Sequence, residues 1–512
     1  MATAPADVPT VSAALHAHAA AAPSRPALSA GDEELSYGEL SALVTGLAGR
    51  LARLGAAPGE RVAIIGQNSV EWVAAFLACL DSGAVAVPLN HRLSPAEIAG
   101  QIGQVEPRLV LAGEGLESTA APAAAACGAA LRALPRDAER SIWHEPVQRV
   151  SAEPPPDAPA LIAFTAGSTG APKGAVIAHG ALTHASRAGA LAVGTGEDDR
   201  TLVMVPLFHN TGFADQLGQM LMVGGAIDLL PEFSVGAARR ALLRRPATYL
   251  IAVPGILRLL SQDEDAATML ADCGVACFGG SPMPEAWIRD LEARWPGLEL
   301  FNIYGLTEYT SLSHCLQPRD LTARGDSVGR PVDGAAQLVV DEDGKPVRAG
   351  RPGMILVAGP SRMSGYWRAP ERTREVFRDR WLVTGDLGSV SADGFLRLVG
   401  RASEVINRGG EKVSPVQVEA AVNLEPGVAE AGVVGAPHPI FGERVVAFVT
   451  LQGGSGLDEE ATRRHLRGRV ADYAVPERFF VVDELPRTAV GKVDRLELRR
   501  HAAMAFAAKA AT

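Results

Sequence analysis

The 512-residue chain is poor in lysine: it has five, at positions 173, 345, 412, 492 and 509, against 43 arginines. Cysteine is as scarce, with five scattered residues, and aromatic side chains make up only 5%. Five thiols cannot all pair, and the nearest two, Cys273 and Cys277, have no second pair beside them. That excludes a disulfide scaffold and argues against a zinc site, so buried thiols in a reducing, cytoplasmic setting are expected. There is no basic excess: 48 basic and 58 acidic side chains leave a net charge of −10. A general nucleic-acid binder, which needs a dense basic surface, is thereby excluded. Long hydrophobic runs are missing too. Trp72–Leu80, the most apolar helix candidate, is bracketed by Glu71 and Asp81 and is too short to span a bilayer. Met1–Thr10 carries no basic region followed by an apolar run, so no signal peptide is read. With arginine favoured so strongly, each surviving lysine marks a position where the guanidinium fork does not serve, and Lys173, Lys412 and Lys492 fall inside motifs described below.

What is present suits a globular enzyme: 47% apolar residues, 21% charged ones and length enough for several cores. Buried-strand patterns at Arg61–Ile65, Ala84–Pro88, Leu202–Pro206, Tyr249–Val253 and Val275–Phe278 alternate with helical periodicity, Ser69 capping a helix through Leu80. Such alternation predicts sheets with mainly parallel pairing and helices on their faces. Glu153–Pro159 reads as a rigid connector, Ser118–Leu134 as an alanine-rich surface helix and Arg500–Thr512 as a fraying helix. The texture changes around Gly400–Glu404; beyond it a compact stretch has its own strands at Ala431–Val434 and Val445–Leu451.

The strongest local signal is Thr165-Ala166-Gly167-Ser168-Thr169-Gly170-Ala171-Pro172-Lys173-Gly174, directly after the apolar strand Leu161–Phe164. Hydroxyls and glycines this dense offer backbone N–H groups and short donors to a polyphosphate, and Lys173 adds a point charge. It is not a Walker loop, since Pro172 stands where that motif needs glycine and Gly174 where it needs Ser or Thr. Nor is it a serine-hydrolase elbow, because Ala166 replaces the first glycine.

Downstream come Pro206-Leu207-Phe208-His209-Asn210, Gly279-Gly280-Ser281-Pro282, Asn302-Ile303-Tyr304-Gly305-Leu306-Thr307-Glu308, Thr384-Gly385-Asp386 and Gly400-Arg401. Arg408-Gly409-Gly410-Glu411-Lys412-Val413-Ser414-Pro415 and Leu485-Pro486-Arg487-Thr488-Ala489-Val490-Gly491-Lys492 follow. In this order and spacing the chain resembles, from roughly residue 25 to 500, the adenylate-forming superfamily of acyl- and aryl-CoA synthetases, peptide-synthetase adenylation domains and beetle luciferases. The resemblance implies an α/β fold with a large multi-sheet N-terminal AMP-binding domain (1–402) and a small mobile α+β C-terminal domain (403–512), hinged at Ser403. It implies that ATP, Mg²⁺ and CoA take part. Thr165, Ser168, Thr169, Gly170 and Lys173 would hold phosphates, Glu308 with Thr165 the Mg²⁺, and Thr307 would face the α-phosphate. Tyr304 would stack on adenine, framed by Gly279, Gly280, Ser281, Pro282, Asn302 and Gly305. Asp386 would accept the ribose hydroxyls, with Arg401 beside the same sugar. Lys492 would neutralise the repulsion between carboxylate and α-phosphate in the transition state. His209 would gate the acyl pocket.

In amino-acid-activating members an aspartate pairs with the substrate ammonium; counted back from Gly224-Gly225, that position is Thr211, so a free amino acid is disfavoured. No basic residue falls between Phe208 and Gly225, which weighs against a second substrate carboxylate. The lining His209, Asn210, Phe213, Ala214, Gly305 and Tyr309 is apolar to weakly polar, and a hydrophobic monocarboxylic acid is expected. For the acceptor, Gly409, Gly410 and Lys412 resemble the thiol tunnel of CoA-forming members. The lysines that many of them carry before the catalytic-lysine strand are replaced, however, by Ala474 and Glu477, with Arg478 or Arg444 as substitutes. The acceptor therefore stays open between CoA and the phosphopantetheine of a carrier protein, as does an enzyme keeping one half-reaction. A non-catalytic nucleotide-binding homologue is disfavoured because Lys492, Glu308, Asp386 and Arg401 occur together.

Overall fold

The computed structural model describes residues 8–147, 153–165, 172–281, 283–409, 411–453, 456–467, 469–487 and 493–510, with only the backbone at Lys412 and at 507–510. Contacts divide the chain into two compact units. One comprises Met1–Met283, Trp287–Gln337 and Val357–Val383; the other comprises Pro284–Ala286, Leu338–Leu356 and Thr384–Thr512, so that residue 402 falls inside the second unit.

The first unit shows how alternation becomes a layered α/β fold. Strand Arg61–Ile65 runs into Ser69, whose hydroxyl accepts the Trp72 N–H at 3.1 Å and starts helix Val70–Ser82. Gly83 ends that helix in the left-handed region at φ 74°, which costs a residue without Cβ little. The chain returns as Val85–Leu89, parallel to the first strand. Successive residues of a strand face opposite sides of the sheet. Val62 and Ile64 accordingly enter the main core, while Ala63 and Ile65 enter a second core with Val85, Val87, Ile98 and Ile102. Between Trp72 and Leu80 the helix is buried all round, which explains the unbroken apolar run there.

Two sheets make up this unit, one of nine strands and one of seven. Their interiors pair in parallel, as expected, and antiparallel strands sit at the edges: Glu33–Ser36, Leu312–Leu316 and Arg330–Pro331 in the first, Lys173–Ala178 and Gly365–Tyr366 in the second. The five thiols are free, and all but Cys127 are buried. Among the described residues no helix is long and apolar enough to cross a membrane.

Two local expectations need correction. Ser118–Leu134 is not one surface helix: helix Glu117–Ala126 buries Ala120, Ala123 and Ala124, and Ala130–Ala133 becomes the seven-stranded sheet's edge strand, parallel to Leu109–Ala112. Alanine lets the helix lie close on the sheet, and Gly128 at φ 66° makes the turn between them. The expected C-terminal helix is longer at its start: it spans Arg495–Ala510, held by Leu498 and Ala502 in a core with Val434, Val446 and Phe448, and residues 511 and 512 lie outside the described residues.

In the second unit, strands Val428–His438 and Gly442–Leu451 form an antiparallel pair, Arg478–Val481 adds in parallel, and Ile406–Arg408 with Glu411–Val413 completes a five-stranded sheet. Buried Glu419 on helix Pro415–Val422 accepts the Val433 N–H at 2.8 Å and two bonds from Arg495, whose guanidinium also lies 3.2 Å from Glu404.

Candidate active site

In the first unit, strand Pro159–Thr165 pairs antiparallel with Lys173–Ala178, which sets Thr165 opposite Lys173. The intervening loop, with the candidate residues Ser168, Thr169 and Gly170, lies outside the described residues. Lys173–Ala178 also pairs with Gly365–Tyr366, placing Tyr366 opposite Ala175. From the nine-stranded sheet's side, the 3₁₀ turn Thr307–Tyr309 presents Glu308 to the same corner, anchored by Met363 N–H on the Glu308 carbonyl at 2.9 Å. Glu308 Oε1 accepts from the Tyr366 hydroxyl at 2.9 Å and the Thr165 hydroxyl at 3.4 Å, and Lys173 Nζ lies 5.3 Å from the centre of the Tyr366 ring. Thr165, Lys173 and Glu308, distant in the chain, are thus gathered around Tyr366, a residue the motifs did not point to. Hydroxyl and carboxylate oxygens are hard donors. Among the described residues no cluster of three or more His, Cys, Asp or Glu could cage a metal. The donor set fits Mg²⁺, which keeps waters and phosphate oxygens beside one or two protein ligands.

Strand Val275–Gly279 pairs in parallel with Glu299–Gly305, and this carries Gly279, Gly280 and Ser281 to the same end as Asn302, Tyr304 and Gly305. A Cβ on Gly279 would press the Ile303 carbonyl at 2.5 Å, and one on Gly305 would overlap the Ser311 carbonyl, so backbone proximity requires both glycines. Asn302 uses its amide to hold the Ser327 carbonyl at 2.9 Å, and the Tyr304 ring is tilted against His314 at 5.7 Å. Pro282 lies outside the described residues.

The segment expected to line the acyl pocket is pinned by a residue the motifs passed over. Buried Asn68 donates to the Val205 and Leu230 carbonyls, each at 3.0 Å, and accepts the Leu207 N–H at 2.8 Å, fixing the turn that carries His209. His209 Nδ1 accepts the Thr211 N–H at 3.3 Å, so in the neutral ring the proton sits on Nε2. Thr211–Gly218 then winds as a π-helix, a form often found at functional sites. Phe213 and Ala214 belong to the main core, Phe213 stacking on Phe76 at 6.0 Å. Tyr309 is fully buried, donates to the Ala358 carbonyl at 3.2 Å, and has its phenol pushed up to about 12 by desolvation.

Asp215 was also missed, although a carboxylate in the run Phe213-Ala214-Asp215-Gln216-Leu217 is itself a signal. It is 3% exposed, and burial raises its carboxyl to about 7, partly opposed by a hydrogen bond from Ser311. Asn210 Nδ2 donates to the same Ser311 oxygen at 3.2 Å.

In the second unit, strand Trp381–Val390 pairs with Leu396–Arg401 and sets Asp386 opposite Arg401, the guanidinium Nε 2.7 Å from Asp386 Oδ1. Asp386 is 5% exposed, and Thr384 Oγ1 accepts its N–H at 3.0 Å. Ser403 stands in the turn that follows, between Ala402, whose N–H bonds the Gly385 carbonyl, and Glu404, whose N–H bonds the Arg401 carbonyl. Gly409 has φ 62° and donates to the Phe441 carbonyl at 2.8 Å, within the hairpin that leads to Lys412. Glu477 is bracketed by Arg408 at 2.6 Å and Arg444 at 3.5 Å, so two guanidiniums outweigh the carboxylate that replaces the expected lysine. Gly410 and Lys492 lie outside the described residues.

The profile of the AMP-binding enzyme family matches residues 15–367, and that of the AMP-binding enzyme C-terminal domain matches 417–492. The chain is 33% identical to an indoleacetate–CoA ligase of Aromatoleum aromaticum over 94% of its length and 96% of the relative's. It is also 33% identical to a feruloyl-CoA synthase of an Amycolatopsis species, over 93% and 96%. Among solved structures, ATP-bound MatB from Rhodopseudomonas palustris superposes with a TM-score of 0.89 at 30% identity, covering 96% of this chain and 98% of that one. The o-succinylbenzoate coenzyme A synthetase of Bacillus subtilis in complex with ATP and magnesium ion gives 0.83 at 29%, over 95% and 98%. With both family profiles matched and relatives about one-third identical over nearly the whole length, the chain belongs to the AMP-binding enzyme family.

Proposed function

We infer that this enzyme, an ATP-dependent acid–CoA ligase like its relatives, acts on a hydrophobic monocarboxylic acid in a reducing, cytoplasmic setting. Its free thiols suit that compartment. A substrate carboxylate oxygen attacks the α-phosphorus of ATP, the bond to the β-phosphate breaks, and pyrophosphate leaves. The CoA sulfur then attacks the acyl carbon, giving up its proton, and AMP departs. CoA is the acceptor we take, since the relatives named above make CoA thioesters and nothing supports a carrier protein.

The observation that carries this reading is the meeting of Thr165, Lys173, Glu308 and Tyr366 in one corner. There Thr165 and Glu308 would hold Mg²⁺, which when bound neutralises phosphate charge and orients the leaving pyrophosphate. Tyr366 orients the Glu308 carboxylate, and Lys173 supplies a cation. Thr307 faces the α-phosphate, Tyr304 with Gly279, Gly280, Ser281 and Asn302 receives adenine, and Asp386 with Arg401 binds the ribose. Lys492, delivered by the C-terminal domain turning about Ser403, joins the two anions as they react. Gly409, Gly410 and Lys412 then line the thiol's path, with the Arg408–Glu477–Arg444 group leaving net positive charge for CoA phosphates. His209 closes the mouth of the acyl pocket.

A panel of carboxylic acids, followed by pyrophosphate release and then acyl-CoA formation, tests the reaction. Lys492→Ala is expected to slow adenylation by about 10²–10³. Pyrophosphate release without any thioester would rule out CoA as acceptor, and an unimpaired Lys492→Ala would remove that lysine from the chemistry.

A further inference from the structure

A carboxylate in an apolar interior is costly unless its oxygens are satisfied. Asp215 lies on the π-helix Thr211–Gly218, directly after His209 and Asn210, and with its carboxyl ionised the hydrogen-bond chain around it has a fixed direction. Ser311 has one hydroxyl proton and donates it to Asp215 Oδ2. Its oxygen can therefore only accept from Asn210, whose Nδ2 lies 3.2 Å away. This leaves Asn210 Oδ1 and Asp215 Oδ1 without a partner among the described residues, and both side chains are more than nine-tenths buried. With Asp215 ionised, both lone groups are acceptors, arranged about one serine. Ser311 belongs to the motif strand region as well: its carbonyl accepts the Leu306 N–H at 3.0 Å and lies so close to Gly305 that no side chain fits there. The cluster therefore ties together the two chain segments assigned to the acyl pocket, His209–Ala214 and Gly305–Tyr309.

We propose that Asp215, with Asn210, is a specificity-determining site that selects acids carrying a hydroxyl or amino donor remote from the reacting carboxylate. The proposal rests on the assignment of the acyl pocket made in the preceding section. A substrate donor would satisfy the lone acceptors, whereas an equally large alkyl group would leave them unpaired and buried. Sites built around such a bond discriminate strongly against the analogue that lacks it, because the loss is a desolvated, unmade hydrogen bond.

The test compares benzoate, phenylacetate and 3-phenylpropanoate with their hydroxy, amino and methyl derivatives at each ring position. Acyl-CoA formation by the full-length enzyme with Mg·ATP and CoA is the readout. The best donor-bearing acid is expected to exceed its methyl counterpart in kcat/KM by about tenfold or more. In Asp215→Leu that ratio is expected to fall to one or below. Wild-type ratios near one at every ring position, or a ratio unchanged in folded Asp215→Leu, would overturn the proposal while leaving the ligase reading intact. Should the variant not fold, the wild-type ratios decide alone. If neither these acids nor alkyl acids gave any thioester, the ligase reading itself would fail, and this inference with it.

Discussion

Tyr366 shows what a single side chain adds to a motif. Its hydroxyl, 2.9 Å from Glu308 Oε1, orients the carboxylate proposed to present hard oxygens to Mg²⁺. Removing that bond in Tyr366→Phe should lower kcat/KM for adenylation by about tenfold, the scale of a hydrogen bond to a charged group. The Mg²⁺ concentration giving half-maximal rate should rise several-fold. Pyrophosphate release measured across a magnesium titration checks both, and an unchanged magnesium dependence would mean that Glu308 needs no such support. Glu308 and Thr165 were legible in the sequence because they sit in recognisable motifs. Tyr366 was not, since it reaches Glu308 through strand pairing between Gly365–Tyr366 and Lys173–Ala178, which local sequence does not specify. Asp215 and Asn68 were overlooked for a related reason: each is a polar residue in an ordinary-looking stretch whose partners lie far along the chain.

Helices in the first unit are joined by polar ties as well as by apolar packing. His16, on helix Val11–Ala21, bonds Ser41 of helix Tyr37–Arg53 at 2.8 Å through Nδ1 and Asp81 of helix Val70–Ser82 at 2.7 Å through Nε2. The hydrogen bond that His16 donates to Asp81 raises the imidazole pKa, with further help from the charges of Asp81 and Glu153 and opposition from burial. Because the folded value lies above the unfolded one, the contribution is fully present below about pH 6.5 and disappears as pH rises through the folded pKa. His16→Asn should therefore reduce stability more at pH 6 than at pH 8.5, by on the order of 0.5 kcal/mol for a pair still partly open to solvent. Urea unfolding of both proteins at the two pH values reads this difference, and equal losses at both would show that the tie is not electrostatic. Elements of this region were well marked in the sequence. The strand Arg61–Ile65 and the Ser69 cap appear where periodicity and capping chemistry place them. The alanine-rich stretch after Glu117 misled because alanine carries no periodic signal, and only contact with the sheet decides that it turns into a strand.

At the level of the whole molecule, the proposed reaction needs two chemistries in succession, and the turn at Ser403 is the proposed pivot between them. Its neighbours are held: Ala402 and Glu404 both make backbone bonds, and Arg495 lies 3.2 Å from the Glu404 carboxylate while bonding buried Glu419. Within the second unit the residue before Ser403 is thus tied to Gly385 and the residue after it to Arg495, which leaves the turn's own dihedrals as the proposed pivot. Ser403→Pro, which fixes φ near −65°, should leave pyrophosphate release within about tenfold of wild type and slow thioester formation by about 10² or more. Rapid-mixing measurements of the two products distinguish the steps, and equal slowing of both would argue against a hinge at this position.

By itself the sequence determined the family, the alternation of strands and helices, and most residues expected to meet nucleotide, because glycine-rich loops, caps and lone lysines act through neighbours a few positions away. Only the tertiary structure decided which strands share a sheet, which tyrosine supports Glu308, and that Asp215 and Asn210 keep lone acceptors around Ser311. Those outcomes depend on pairing register and burial, which arise from contacts between residues dozens of positions or more apart and leave no periodic trace in the chain.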